Sequence, residues 1–200
     1  MSFQKFSPRA IVLFLIIIAV AALRLLTHFA DHPGPVSNFT PIGAMALFGG
    51  AYFKGKIKPF FLPLFTLFIS DVILSFTIYS SFRTGLLYTG WYWTYAAFAL
   101  MVFTGKMLIK NVNVKNIFFS VIVITMIHWL VSDMGGCLNE KTTGAALLLY
   151  GQRLIAAIPY ELNFFSGSLI YGTLMFGSFE WLQRKYSKMN LSSEKSSSVS

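Results

Sequence analysis

The chain has 200 residues, of which 56% are hydrophobic and only 12% charged, and its mean hydropathy is +0.65. Soluble domains average about 25% charged residues, so the composition excludes a disordered chain, a coiled coil and a conventional cytosolic enzyme. The single cysteine, Cys137, excludes a disulfide framework and Cys-based metal centres, and the net charge of +9 falls between apolar runs, which points to membrane topology and to no nucleic acid.

Those runs predict an all-α integral membrane protein with six transmembrane helices, a short second span and an extra short helix before the last span. The first span covers residues 10–29 and carries Arg24 near its end. An irregular stretch, Asp31-His-Pro-Gly-Pro-Val-Ser37, leads into the short second span at 41–53. The third is 59–78, with Asp71 inside it, and the fourth, 91–109, opens on Trp91-Tyr92-Trp93. The fifth is 114–131 and the sixth 161–182. Residues 144–159 are apolar but short and interrupted by Arg153, which reads as a separate re-entrant or interfacial helix. Residues 1–186 form one membrane domain, followed by a Ser-rich tail, 187–200, expected to be a disordered cytoplasmic extension.

Basic residues set the orientation. Lys5 and Arg9, Lys54, Lys56 and Lys58, Lys106, Lys110 and Lys115, and Arg184, Lys185, Lys188 and Lys195 all fall on one side of six spans. The other side keeps only Arg24, Arg83, Lys141 and Arg153, with five of the seven acids. The positive-inside rule then makes both termini cytoplasmic. Lys5, Arg9 and Ala19-Val-Ala21 also match a cleavable signal peptide, but the apolar run continues to Phe29, which favours an uncleaved first helix.

Gly50, Gly55 and Lys56 nearly spell a phosphate-binding loop, yet Ile57 stands where Ser or Thr must reach magnesium. Spacings for a Ser–His–Asp triad, paired catalytic carboxylates or His-Glu-x-x-His are absent from the sequence, so no enzymatic activity and no cofactor is expected. The informative residues are the ionisable ones inside spans, because a charge in hydrocarbon costs several kcal/mol without a partner or a purpose. Counting ~1.5 Å per residue from the cytoplasmic ends, Asp71, His128 and Arg24 lie at similar depths of about 18, 20 and 22 Å. Asn38, Asp133, Glu161 and Asn163 fall at the outer ends of neighbouring spans. Together these predict a polar outward-facing pocket for a small-molecule substrate, built from Arg24, Asn38, Asp71, Trp91, His128, Asp133 and Asn163. Arg24 and Asp71 either contact ligand or pair with each other to fix helix packing. Trp91, Tyr92, Trp93 and Tyr95 read as an interfacial belt or as a rim stacking on a ring. The alternative is a membrane metal-binding or intramembrane catalytic protein using His28, His32 and His128, with Asp31 and Cys137 nearby in sequence.

The run Asn38-Phe-Thr-Pro41-Ile-Gly43-Ala-Met-Ala-Leu-Phe48-Gly-Gly-Ala51-Tyr-Phe53 resembles the NFTPxGAxALFxGAYF signature of a bacterial six-helix membrane family of transport proteins of unknown function. Arg24-Leu-Leu, Leu62-Pro63 with Ser70-Asp71, and Ala156-Ala-Ile-Pro159 with Asn163 resemble further parts of that pattern. The segment from His128 to Asp133 departs from it, as does Ser75 in place of glycine. The family is similar in outline to the substrate-binding (S) components of energy-coupling-factor vitamin transporters. That resemblance implies a multi-pass protein of the bacterial inner membrane that binds a vitamin-like nutrient from outside and docks on a transmembrane scaffold carrying two ATPases. S components often carry small residues four apart on their first helix for docking. Here Ala19, Ala21 and Ala22 are each followed by Leu, and Ala46/Gly50 and Ala51/Gly55 supply that spacing instead.

Overall fold

The computed structural model describes residues 8–31, 34–137 and 142–185. They form six α-helices: α1 (Pro8–Ala30), α2 (Ile42–Tyr52), α3 (Lys58–Phe76), α4 (Trp91–Leu108), α5 (Val114–Ser132) and α6 (Thr143–Lys185). Short 3-10 turns at Pro35–Asn38, Ser80–Phe82 and Asp133–Gly136 link them at one end. A hairpin of two-residue strands, β1 (Arg83–Thr84) and β2 (Leu87–Tyr88), bridges α3 and α4. Its turn depends on Gly85, whose φ of 78° lies in the left-handed region that side chains disfavour.

The helices start where their sequences can satisfy or dispense with backbone donors. Pro59 sits in the first turn of α3, where its missing N–H is not needed. Asn113 caps α5 by accepting from Asn116 N at 2.8 Å.

Helix α2 is the hub. It is apolar on every side, and Ile42 to Gly50 are all buried, as expected of a helix enclosed by others. At ~1.5 Å per residue its 11 residues measure about 17 Å, short of a hydrocarbon core of about 30 Å. Helices α1, α3, α4, α5 and α6 all pack on it and enclose it. Its tightest neighbour is α4. A Cβ on Gly50 would stand 2.1 Å from Val102 O, and one on Gly105 would stand 2.5 Å from Leu47 O. The Ala46/Gly50 spacing, expected to serve a docking partner, is therefore consumed inside the chain, and Gly55 belongs to the turn after α2.

The core continues downward from α2 through Leu67, Met101, Val102, Val121 and Ile124 to a ring cluster of Phe48, Tyr52, Phe176 and Phe179. Tyr52, half-buried there, donates to Glu180 Oε1 at 2.6 Å. The Lys-rich connections 53–57 and 109–113 and the end of α6 gather at this lower end, where Lys106 Nζ reaches Gly55 O.

One expectation is corrected here. The separate short helix before the last span does not exist: residues 143–185 are one continuous 43-residue helix with Pro159 inside it. A proline removes one backbone bond, to the carbonyl four residues earlier. That residue, Ile155, is exposed, and neighbouring bonds hold the helix to α5: Trp129 Nε1 donates to Leu154 O at 2.9 Å and Tyr150 to Leu130 O at 2.6 Å.

Candidate functional site

Two polar clusters occupy the end of the bundle opposite the lysines. In the first, Arg24 of α1 projects against α3. Its Nη2 bonds Asp71 Oδ1 at 2.6 Å and its Nη1 bonds Ser70 Oγ at 2.6 Å, and Asp71 is wholly buried. Ser70 in turn bonds the Thr66 and Leu67 carbonyls of its own helix. Tyr88 of β2 donates to Asp71 Oδ2 at 3.4 Å, so both carboxylate oxygens have partners. Burial first, and the Asp71 charge next, push the Tyr88 phenol up, which keeps it a donor. His28, one turn beyond Arg24, holds the Arg24 carbonyl through Nδ1 at 2.8 Å and meets the Tyr79 ring edge-on.

In the second cluster, His128 of α5 bonds Glu161 Oε1 of α6 through Nδ1 at 2.7 Å. The imidazole lies stacked on Phe164, 4.3 Å between centroids and 9° from parallel, with Phe98 edge-on at 5.9 Å. Glu161 Oε2 is buried without a partner. Asp133, one turn beyond His128, stands 3.9 Å from Arg153 Nε.

A cavity of about 410 Å³ lies between the two clusters, walled by Arg24, His28, Asn38, Thr40, Tyr79, Tyr88, Phe98, His128, Asp133 and Phe164 among others. A second cavity of about 330 Å³ shares Asn38, His128, Ser132 and Asp133 with it and continues to Arg153, Tyr160 and Glu161. The start of α2, at Thr40 and Ile42, forms part of the first wall, so the short hub helix ends where the polar space begins.

The model of one family, DUF6580, matches residues 4–191. The chain belongs to DUF6580, a family of unknown function. No curated protein and no solved structure matches it.

In this DUF6580 chain, four of the seven residues expected to form a pocket do line one: Arg24, Asn38, His128 and Asp133. The other three do not. Asp71 lies behind Arg24 with no exposed surface. Trp91 is 39% exposed on the rim of α4, its ring edge-on to Tyr95 and Tyr92, outside both cavities. Asn163 spends its amide on Pro159 O, one turn back in its own helix. The metal expectation finds no geometry: among the described residues no three His, Cys, Asp or Glu side chains are grouped to hold an ion, and His32 lies outside those residues. Cys137 points its thiol at Asp133 O.

Tyr79, Tyr88 and Thr94 also line the first cavity, though the sequence did not single them out, while Glu161, which the sequence places at the outer end of its span, lines the second. Tyr79 and Tyr88 sit around the turn between α3 and α4, where apolar periodicity carries no information. Their signal is chemical: a phenol at a helix end beside a buried acid must find a hydrogen bond.

Proposed function

We propose that this DUF6580 chain crosses the bacterial inner membrane six times, with both termini cytoplasmic, and is the ligand-binding subunit of an uptake system for a small, vitamin-like nutrient. The observation that carries this reading is the paired cavity at one end of the bundle, lined by polar groups from α1, α4, α5 and α6 and closed below by the apolar hub α2. Pockets of a few hundred Å³ with a few convergent polar groups suit small molecules.

The membrane setting has its own support. Helices 58–76 and 114–135 are each long and apolar enough to cross a bilayer. Helix α3 exposes Phe61, Phe65, Phe68, Ile69, Ile73 and Phe76, a stripe at helical spacing. Exposed Phe118, Phe119, Ile122, Met126 and Leu130 continue such a surface on α5, and Leu162, Ile170 and Leu174 on α6. Soluble monomers rarely expose apolar area so continuously. The cavity end is poor in lysine and the opposite end rich in it, which by the positive-inside rule turns the cavity outward.

Energy for uptake comes from partners in this reading. The Gly50–Lys56 stretch lacks the Ser or Thr of a nucleotide loop, and Gly50 is buried against α4. A transmembrane scaffold with ATPase subunits, as in the energy-coupling-factor systems that the signature resembles, supplies that role. The docking surface is not the small-residue face of α2, which the chain itself covers.

Mass spectrometry of the chain purified from its native host in mild detergent tests the binding reading. A small polar molecule bound one-to-one is the expected result. A chain that arrives empty, with a melting temperature unmoved by a metabolite extract of the host, would remove it.

A further inference from the structure

We infer that the second cavity recognises a cationic nitrogen group, such as an ammonium, an amidinium or an N-protonated heterocycle, through Glu161; this rests on reading the paired cavity as a ligand site. Glu161 is only 6% exposed, and its Oε2 is buried without a hydrogen-bond partner. A carboxylate oxygen removed from water and left without a donor is strongly unfavourable. The donors nearest to it in the chain are spent elsewhere. His128 Nδ1 serves Oε1, Trp129 Nε1 serves Leu154 O, Asn163 serves Pro159 O and Arg153 is turned toward Asp133. The apolar hollow on the other side of Glu161, between α5 and α6, offers no donor either, because Thr125 gives its hydroxyl to Val121 O. The missing donor must therefore arrive through the polar cavity that Glu161 lines.

Charge and surface agree on what the donor carries. The second cavity is lined by two carboxylates, Asp133 and Glu161, against one arginine whose side chain is 44% exposed. Arg24, the cation of the first cavity, is already held by Asp71 at 2.6 Å and does not offset them. An ionised carboxylate only accepts hydrogen bonds, so His128 Nδ1 is the donor to Glu161. An N–H-bearing cation meets the unpartnered carboxylate oxygen here, whereas a carboxylate or phosphate meets two carboxylates.

Three planar probes of nearly equal shape separate the possibilities: benzamidine, benzamide and benzoate, each titrated against the detergent-purified full chain at neutral pH while its melting temperature is followed. Benzamidine is expected to raise the melting temperature in a concentration-dependent way that benzamide and benzoate do not match. Glu161→Gln, which keeps an acceptor for His128, should weaken the benzamidine response about tenfold or more. Asp133→Asn should weaken it by less, and it serves as the second variant if Glu161→Gln is not monodisperse. Benzoate or benzamide stabilising the wild type as well as benzamidine would overturn the inference while leaving the cavity a ligand site. So would a folded Glu161→Gln chain with an undiminished benzamidine response. A wild type blind to benzamidine would also overturn it, and the wider binding reading would then be decided by whether a molecule co-purifies.

Discussion

Arg24–Asp71 and His128–Glu161 are built alike: each joins two helices at the same end of the bundle, across 2.6 and 2.7 Å, with little exposed surface. They differ in how completely they are satisfied. Asp71 has a partner on each oxygen, and Arg24 has Ser70 as well. Glu161 has a partner on one oxygen only. A buried carboxylate with a partner on each oxygen holds helices, while one with a partner on a single oxygen keeps an acceptor in reserve. On the proposed reading, the difference gives packing chiefly to the α1–α3 pair and recognition to the α5–α6 pair.

The same carboxylate-to-amide change at both sites is the strongest way to break that comparison. Asp71→Asn leaves the Arg24 charge buried and is expected to lose about 3–5 kcal/mol of stability in detergent unfolding. Replacing Arg24 and Asp71 together by apolar residues of similar volume should recover most of that loss. A double variant as unstable as the single one would mean that the pair does more than neutralise itself. Gly50→Ala comes next: the new methyl meets the Val102 carbonyl, and overpacking at this crossing should cost about 1–3 kcal/mol. Glu161→Gln should shift stability by no more than about 1 kcal/mol, since a neutral hydrogen bond to His128 remains. A loss there as large as at Asp71 would erase the distinction between the pairs. Tyr88→Phe is the smallest change, about 0.5 kcal/mol, because it removes one long bond to Asp71 Oδ2.

Much of this arrangement was legible in the sequence. Apolar runs placed α2 to α5 to within about two residues at most ends, because most of those ends lie at a glycine, proline or lysine. Counting rise per residue put Arg24 and Asp71 at one depth, and the two side chains do meet. Two things were not legible. Pro159 reads as a helix break, but a surface-facing proline forfeits one bond while the flanking contacts of Trp129 and Tyr150 persist. With the helix broken on paper, Glu161 reads as the first residue of a span, with no reason to be assigned to His128. The walls from the α3–α4 connection were also hidden, because Tyr79 and Tyr88 are brought to Arg24 by a 3-10 turn and a hairpin with no periodicity of their own. Trp91 and Asn163 lie outside both cavities for another reason: an aromatic cluster at a helix start pointed to Trp91 and depth to Asn163, and neither says which way a helix face turns.

The central claim, a cavity open to the outside above a lysine-rich cytoplasmic end, is tested most directly by cysteine labelling in right-side-out membrane vesicles. In a Cys137→Ala background, Thr89→Cys sits exposed on the cavity wall and Lys110→Cys sits exposed at the other end. A membrane-impermeant maleimide is predicted to label Thr89→Cys in intact vesicles and Lys110→Cys only after they are permeabilised. Labelling of Lys110→Cys in intact vesicles, with Thr89→Cys protected until permeabilisation, would turn the cavity toward the cytoplasm and contradict the account.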